Sequence, residues 1–334
     1  MRTIGSVLPL PSTDEVSGQS LWDFWTAGAN WAAYSSARSA LAALLADREV
    51  RRVWLPAYAC PALMEGAIAG RRQAAWYAVD ERLEPRLQDL QSVRSGDAVV
   101  GIAYFGRSPS EDFQALVRAR PDVLWIEDRA QALAPGPAWG AVRLFSPRKL
   151  IGVGDGGLLV AETKLLQPSA PPSRTEAGAQ AARAGDPDGQ APETWFPAFQ
   201  AQEAAFTVDA AAMSPRTAQA LRGCLAEPLI AARRRNAGCL AAALADIALW
   251  PEPPNWPPLA FPILVADAAA FVRGMAAQGV FCARHWADLP SPERFGPAHD
   301  LARRLVSLPC DHRYGEEDMA RVVRAVRQVQ AGAR

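Results

Sequence analysis

Short apolar runs alternate with segments of helical periodicity along most of this chain. Residues 53–56, 74–79, 98–104 and 123–126 read as strands, with helix-like stretches at 61–69, 87–93 and 113–117 between them. Two further strands are expected at 142–145 and 158–161. Strands that alternate with short helices predict an α/β fold, a mostly parallel sheet covered by helices on both faces, with ligands taken at the carboxyl ends of the strands. Helices at 213–226 and 228–245 follow, and the second carries a run, Arg233-Arg234-Arg235, that reads as a solvated face. The remaining order is strand 259–265, helix 268–278, strands 280–286 and 305–308, and helix 316–329. This predicts a small C-terminal α+β domain at 246–334, a large domain at 34–245, and an irregular or helical N-terminal arm at 1–33. Between 167 and 201 the composition shifts to Pro, Ala, Gly, Gln and isolated charges. So little apolar surface does not offset the entropy of ordering, and a mobile loop over the site is expected there.

The strand at 123–126 leads into Glu127-Asp128, and about twenty residues later Lys149 lies on a turn before the next apolar run. Both groups are therefore expected at strand ends on one rim of the sheet. Lys149 and Lys164 are the only lysines among 35 basic residues, so arginine serves almost everywhere that a plain positive charge is needed. An ε-amine in a partly dry pocket can lose its proton and form an imine, and a guanidinium can do neither. Amine chemistry at Lys149 is the reading this favours, with Asp128 either its functional companion or an N-cap after the strand. Ser35, Ser36 and Ser39 lie where a helical pattern begins, with Ala40, Leu41, Leu44 and Leu45 at helical spacing. Such a start either caps a helix or presents free first-turn amides to a phosphate.

Composition narrows the field. Charges balance at 35 against 35 without a long basic run, so nucleic acid is not an expected partner. No apolar segment reaches the roughly 18 residues of a membrane span, and residues 1–21 lack a signal-peptide core; a soluble, cytoplasmic protein is expected. The five cysteines show no C-x-x-C pair, and His285, His299 and His312 lie far apart, so neither a disulfide framework nor a metal site is expected. Gly152-Val-Gly154-Asp-Gly-Gly157 spells a dinucleotide fingerprint, but it leads into a strand where that fingerprint needs a helix.

The ordered set Glu127-Asp128-x-Ala-Gln131-Ala, Ser146-x-x-Lys149 and Gly-Asp-Gly156-Gly157 resembles the DegT/DnrJ/EryC1/StrS family of pyridoxal-phosphate (PLP) aminotransferases, which has the aspartate aminotransferase fold. The resemblance covers roughly residues 34–325, without the 167–201 stretch, and implies a homodimer with PLP in the large domain. Lys149 would form the internal aldimine, Asp128 would pair with the pyridinium nitrogen, and Gln131 would reach the phenolic oxygen of the ring. Ala37 and Arg38 would stand in the phosphate turn, where the family has Gly and Thr. Ser146 would contact the phosphate or merely shape a turn, and Tyr58 would face the ring or belong to the core; the usual stacking position falls on Cys60. His285 lies near a family histidine of the small domain.

The sequence departs from the family at Leu144, where a serine is common, and at Ala210-Ala211-Ala212-Met213, where the family has Asn-x-Arg-Met. The resemblance implies transfer of an amino group, from an amino acid such as glutamate, to a keto sugar nucleotide or similar carbonyl compound. Two alternatives stay open: a degenerate member that binds or scaffolds without catalysis, and a PLP enzyme of dehydration or elimination chemistry.

Overall fold

The computed structural model describes residues 2–11, 17–134, 136–173 and 177–332. The expected arm, the 167–201 stretch and the C-terminal domain thus each include residues outside the description, namely Met1 and 12–16, 174–176, and 333–334. The chain begins with β1 (Ile4–Gly5), α1 (Leu21–Thr26), β2 (Asn30–Tyr34) and α2 (Ala37–Asp47). It continues through β3 (Arg52–Pro56), α3 (Pro61–Ala69), β4 (Gln73–Tyr77), α4 (Leu87–Leu90), β5 (Ala98–Ile102), α5 (Glu111–Ala119) and β6 (Leu124–Asp128). Next are β7 (Val142–Phe145), a 3-10 turn over Pro147–Lys149, and β8 (Gly157–Ala161). Helices α6 (Gly178–Ala184), α7 (Phe196–Ala204), α8 (Pro215–Gly223) and α9 (Ala226–Leu244) follow. The chain closes with β9 (Phe261–Leu264), α10 (Ala268–Ala277), β10 (Val280–Phe281), α11 (Gly296–Arg304), β11 (Leu305–Leu308) and α12 (Glu316–Gly332).

Seven strands form one sheet in the order β2-β8-β7-β6-β5-β3-β4. The five from β7 to β4 run parallel, while β8 is antiparallel to both of its neighbours. Every residue of β5 is buried, as expected of a strand covered on both faces. The chain order reverses beside β3, which pairs with β4 on one side and β5 on the other. Crevices of this kind at the carboxyl ends of parallel strands are where such sheets bind ligands. Asp128 is the last residue of β6, and Cys60, Tyr104 and Lys149 follow the ends of β3, β5 and β7.

The second, smaller core joins α9, α10 and α12 to the antiparallel pair β9 and β11, with Phe261, Ile263, Met275, Val306, Met319 and Val326 buried. Ile4 is part of the same core, and β1 pairs with β10, so the start of the chain is tied to its end.

Three expectations change. The 167–201 stretch holds α6, a 3-10 turn at Pro192–Thr194 and the first part of α7, because its alanine runs favour helix and Trp195 is buried. The expected strand at 280–286 shrinks to β10 plus a bridge from Ala283 to Ser307, while the unexpected α11 starts at Gly296-Pro297 and buries Ala298, Leu301 and Ala302 on one face. Arg233 is not on a solvated face: only 1% of it is exposed, whereas Arg234 and Arg235 face solvent.

Candidate active site

The site grows out of β6. Successive residues on a strand point to opposite faces, so Glu127 and Asp128 enter different surroundings. The Glu127 carboxylate is fully buried and accepts from the backbone N–H groups of Trp139 (2.8 Å) and Gly140 (2.7 Å) and from Arg129 Nε (2.5 Å). Arg129 in turn donates to the carbonyls of Gly136 and Pro137, so this pair pins the loop that leads into β7. Asp128 opens on the other side, where Oδ1 accepts from Ala130 N–H at 2.9 Å. Burial holds its carboxyl above the usual carboxylate range, and the nearby Lys149 charge and the Ala130 N–H pull it back.

Lys149 ends the turn that follows β7, which is closed by Lys149 N–H to the Ser146 carbonyl (3.2 Å) and Leu150 N–H to the Pro147 carbonyl (2.9 Å). Its ammonium sits 5.6 Å from the centroid of the Trp286 ring. Among the described residues no carboxylate oxygen lies within 4.0 Å of that ammonium, although its charge acts on Asp128, Cys60 and His285 together. The amine and the acid thus face each other across a gap. That gap is a cavity of about 50 Å³ walled by Ser36, Ala37, Arg38, Cys60, Asp128, Leu144, Ser146, Arg148 and Lys149 among others.

At the far end of the cavity stands the start of α2. Ser36 Oγ caps it by accepting from Ser39 N–H at 3.2 Å. Gly157 of β8 packs so close behind that a Cβ there would come within 2.2 Å of the Ser36 carbonyl carbon. Two guanidinium groups flank this end: Arg38 pairs with Glu65, Arg148 with Glu203 of α7, and the Phe206 ring lies between them, 5.8 and 3.9 Å away. Burial lowers the Arg148 pKa, with Glu203 opposing that shift.

Of the residues expected from sequence, the structure brings Lys149, Asp128, Ala37, Arg38 and Ser146 into one wall. Gln131 and Tyr58 lie outside it. Gln131 Oε1 accepts from Phe105 N–H (2.6 Å), and its Nε2 is buried without a partner. Tyr58 belongs to the core, where its hydroxyl donates to the His285 carbonyl and its ring meets Tyr104 and Trp286; Cys60 takes the place in the wall. Leu144 lines the cavity as an apolar side chain. Ala210, Ala211 and Ala212 supply backbone contacts to residues 169–170 and to Tyr34.

Arg148, Glu203 and Trp286 were not among the expected site residues. Adjacency to Lys149 is the signal for Arg148, but Glu203 gives none, because 54 residues separate it from that lysine.

A larger chamber of about 450 Å³ adjoins the first cavity and shares Arg148 and Lys149 with it. Its other walls include Phe196, Phe199, Arg233, Cys282, His285 and Ser307. His285 Nδ1 lies 2.8 Å from Ser307 Oγ. Burial, and secondarily the Lys149 charge, push the His285 pKa down to about 3, so the imidazole is neutral.

The donor set fits pyridoxal phosphate: an amine, a buried acid across a gap, and a helix N-terminus with two guanidinium groups and Ser146 for the phosphate. The small cavity alone has room for about one or two waters, so a substituted pyridine has to draw on the adjoining chamber.

The chain has the fold of PLP aminotransferases of the DegT/DnrJ/EryC1/StrS type. It superposes on one of these, from Brucella abortus, with a TM-score of 0.66 at 17% identity, over 94% of this chain and 91% of that one. For the sugar aminotransferase CalS13 from Micromonospora echinospora the TM-score is 0.65 at 19% identity, over 98% and 100% of the two chains. The PLP form of Spr1654 from Streptococcus pneumoniae gives 0.65 at 12% identity, over 98% and 93%. No family model matches the sequence, and no curated protein matches it. At these identities the likeness is one of fold.

Proposed function

We propose that this chain is a PLP-dependent aminotransferase that moves an amino group from an amino acid, glutamate for preference, to a keto sugar nucleotide or similar carbonyl compound, acting as a cytoplasmic homodimer. The observation that carries the reading is Lys149 and the buried Asp128 facing each other across a cavity that ends at the start of α2. When bound there, pyridoxal phosphate supplies an aldehyde for amines and an electron sink beside the reacting carbon. Lys149 would hold it through its ε-amine, and the same amine would serve as the proton carrier of the site. Asp128 would keep the ring nitrogen protonated, in a buried setting where little water competes with such a pairing. Arg38, Arg148, Ser146 and the first amides of α2 hold the phosphate, taking over from the anchors replaced by Leu144, Ala210 and Ala212. Phe196 and Phe199 give the chamber an apolar stretch of wall.

The sugar-type acceptor rests on the likeness to CalS13, which is a sugar aminotransferase. The test is spectroscopic. Adding PLP to the purified protein should produce a visible band that borohydride bleaches, and glutamate should convert it to the spectrum of the aminated cofactor. A protein that gives no band, or whose Lys149→Arg variant keeps it, is not this enzyme. The apolar Leu144 in the cavity wall favours a second reading, a binding protein that has lost catalysis. That reading predicts no spectral change with PLP.

A further inference from the structure

Among the described residues the Lys149 ammonium makes neither a hydrogen bond nor an ion pair. A lysine ends in a compact charge on a flexible four-carbon stem, so an amine with work to do at one place needs something that holds it there. What lies against it is the Trp286 ring, whose centroid is 5.6 Å from the nitrogen. An indole at that range attracts a cation, and more strongly where water is excluded. The attraction is to the positive charge, so the ring has little hold on a neutral amine.

Trp286 stands on a turn after β10, yet its ring packs against the larger core. Tyr58 and Tyr104, buried beyond the ends of β3 and β5, meet that ring at centroid separations of 5.7 and 6.5 Å. The Tyr104 hydroxyl donates to the Tyr58 carbonyl, and the Tyr58 hydroxyl donates to the carbonyl of His285, the residue before Trp286. On the other side His285 Nδ1 lies 2.8 Å from Ser307 Oγ of β11. The turn is therefore anchored to both parts of the fold, and Tyr58, which has no place in the cavity wall, has one behind the indole. Held in this way, the ring can grip a charged amine at one position. Such a contact suits the interval in which Lys149 is free of the cofactor and carries a proton.

We propose that Trp286 is a positioning residue for Lys149, holding the protonated amine against its ring while that amine is free of the cofactor. The inference rests on the aminotransferase reading, but it can fail separately. One measurement needs no cofactor. Reductive methylation with 13C-formaldehyde labels two side chains, Lys149 and Lys164, besides the α-amine, keeps their charge, and is assigned with Lys164→Arg. The Lys149 methyl signals should lie upfield of those of Lys164 through the ring current of the indole, and Trp286→Leu should abolish the displacement. No displacement in the unsubstituted chain overturns the proposal, and that result stands even if a variant fails to fold. The second measurement is the half-reaction of the PLP-loaded protein with glutamate. Trp286→Leu should keep the borohydride-sensitive band but slow its conversion about tenfold, with a larger deuterium isotope effect from the α-carbon of glutamate. Trp286→Phe, which keeps an aromatic face, should convert within about threefold of the unsubstituted rate. An unchanged rate in Trp286→Leu, or equal slowing in both variants as a space-filling role would give, removes only this inference. An unsubstituted protein that forms no band, or whose band glutamate leaves alone, removes the aminotransferase reading and this role with it.

Discussion

Glu127 and Asp128 are neighbours on one strand, yet the structure gives them different tasks. Glu127 is enclosed with Arg129 and two backbone N–H groups, so Glu127→Gln should cost about 3–5 kcal/mol of stability by leaving a buried guanidinium without its counter-charge. Urea unfolding checks this, and a loss below about 1 kcal/mol would contradict it. Asp128→Asn should leave stability nearly unchanged, because burial already disfavours its charge, and should weaken PLP binding on the order of 100-fold. Fluorescence titration with the cofactor reads that difference. His285 and His312 are held well below the ordinary value of 6.5, at about 3 and about 4, chiefly by burial. Below pH about 6.5 the unfolded chain therefore binds protons that the folded chain refuses, and stability should fall as pH drops from about 6.5 towards 4. The slope is at most about 1.4 kcal/mol per pH unit for each histidine, less for partial exposure. His312→Asn should flatten the profile of urea midpoint against pH, and an unchanged slope would count against its burial. At this scale the placing of Lys149 and Asp128 on one cavity was legible, because two lysines among 35 basic residues made one of them conspicuous and a strand ends at the acid. Arg233 was not, since a run of three arginines reads as solvated until the packing of α9 buries the first.

Helix α2 shows what an element contributes. Its Ser36 cap leaves the first turn facing the cavity, and Gly157 lets β8 press against it. Gly157→Ala should force the two apart, costing about 1–3 kcal/mol and weakening PLP. Urea unfolding and a PLP titration read the two effects, and undiminished PLP binding would contradict this role of the close approach. The serines that begin α2 were readable as a cap in the sequence. The helices α6 and α7 were not, because alanine carries helix propensity without the apolar periodicity by which amphipathic helices are recognised. The place of α7 comes from the pair of Arg148 with Glu203, and from Gln202 Nε2 donating to the Gly154 carbonyl at 2.6 Å. Such distant partners leave no local pattern.

For the molecule as a whole, the alternation of strands and helices predicted the parallel part of the sheet and the rim where Asp128 and Lys149 meet. The antiparallel edge formed by β2 and β8 was hidden, because Trp-Ala-Ala-Tyr is short and its pairing is set by a strand more than a hundred residues away. The closure of the chain start onto the small core was equally hidden, since Gly5 N–H reaches Tyr314 Oη (2.7 Å) across the whole sequence. The chain carries only two lysines, and that composition makes the decisive experiment simple. Treatment with PLP and borohydride, followed by digestion and mass spectrometry, can place the adduct on only two lysines, Lys149 in the cavity wall and the exposed Lys164. The account predicts a stoichiometric phosphopyridoxyl group on Lys149 with Lys164 unmodified; equal labelling of both, or label on Lys164 alone, would contradict it.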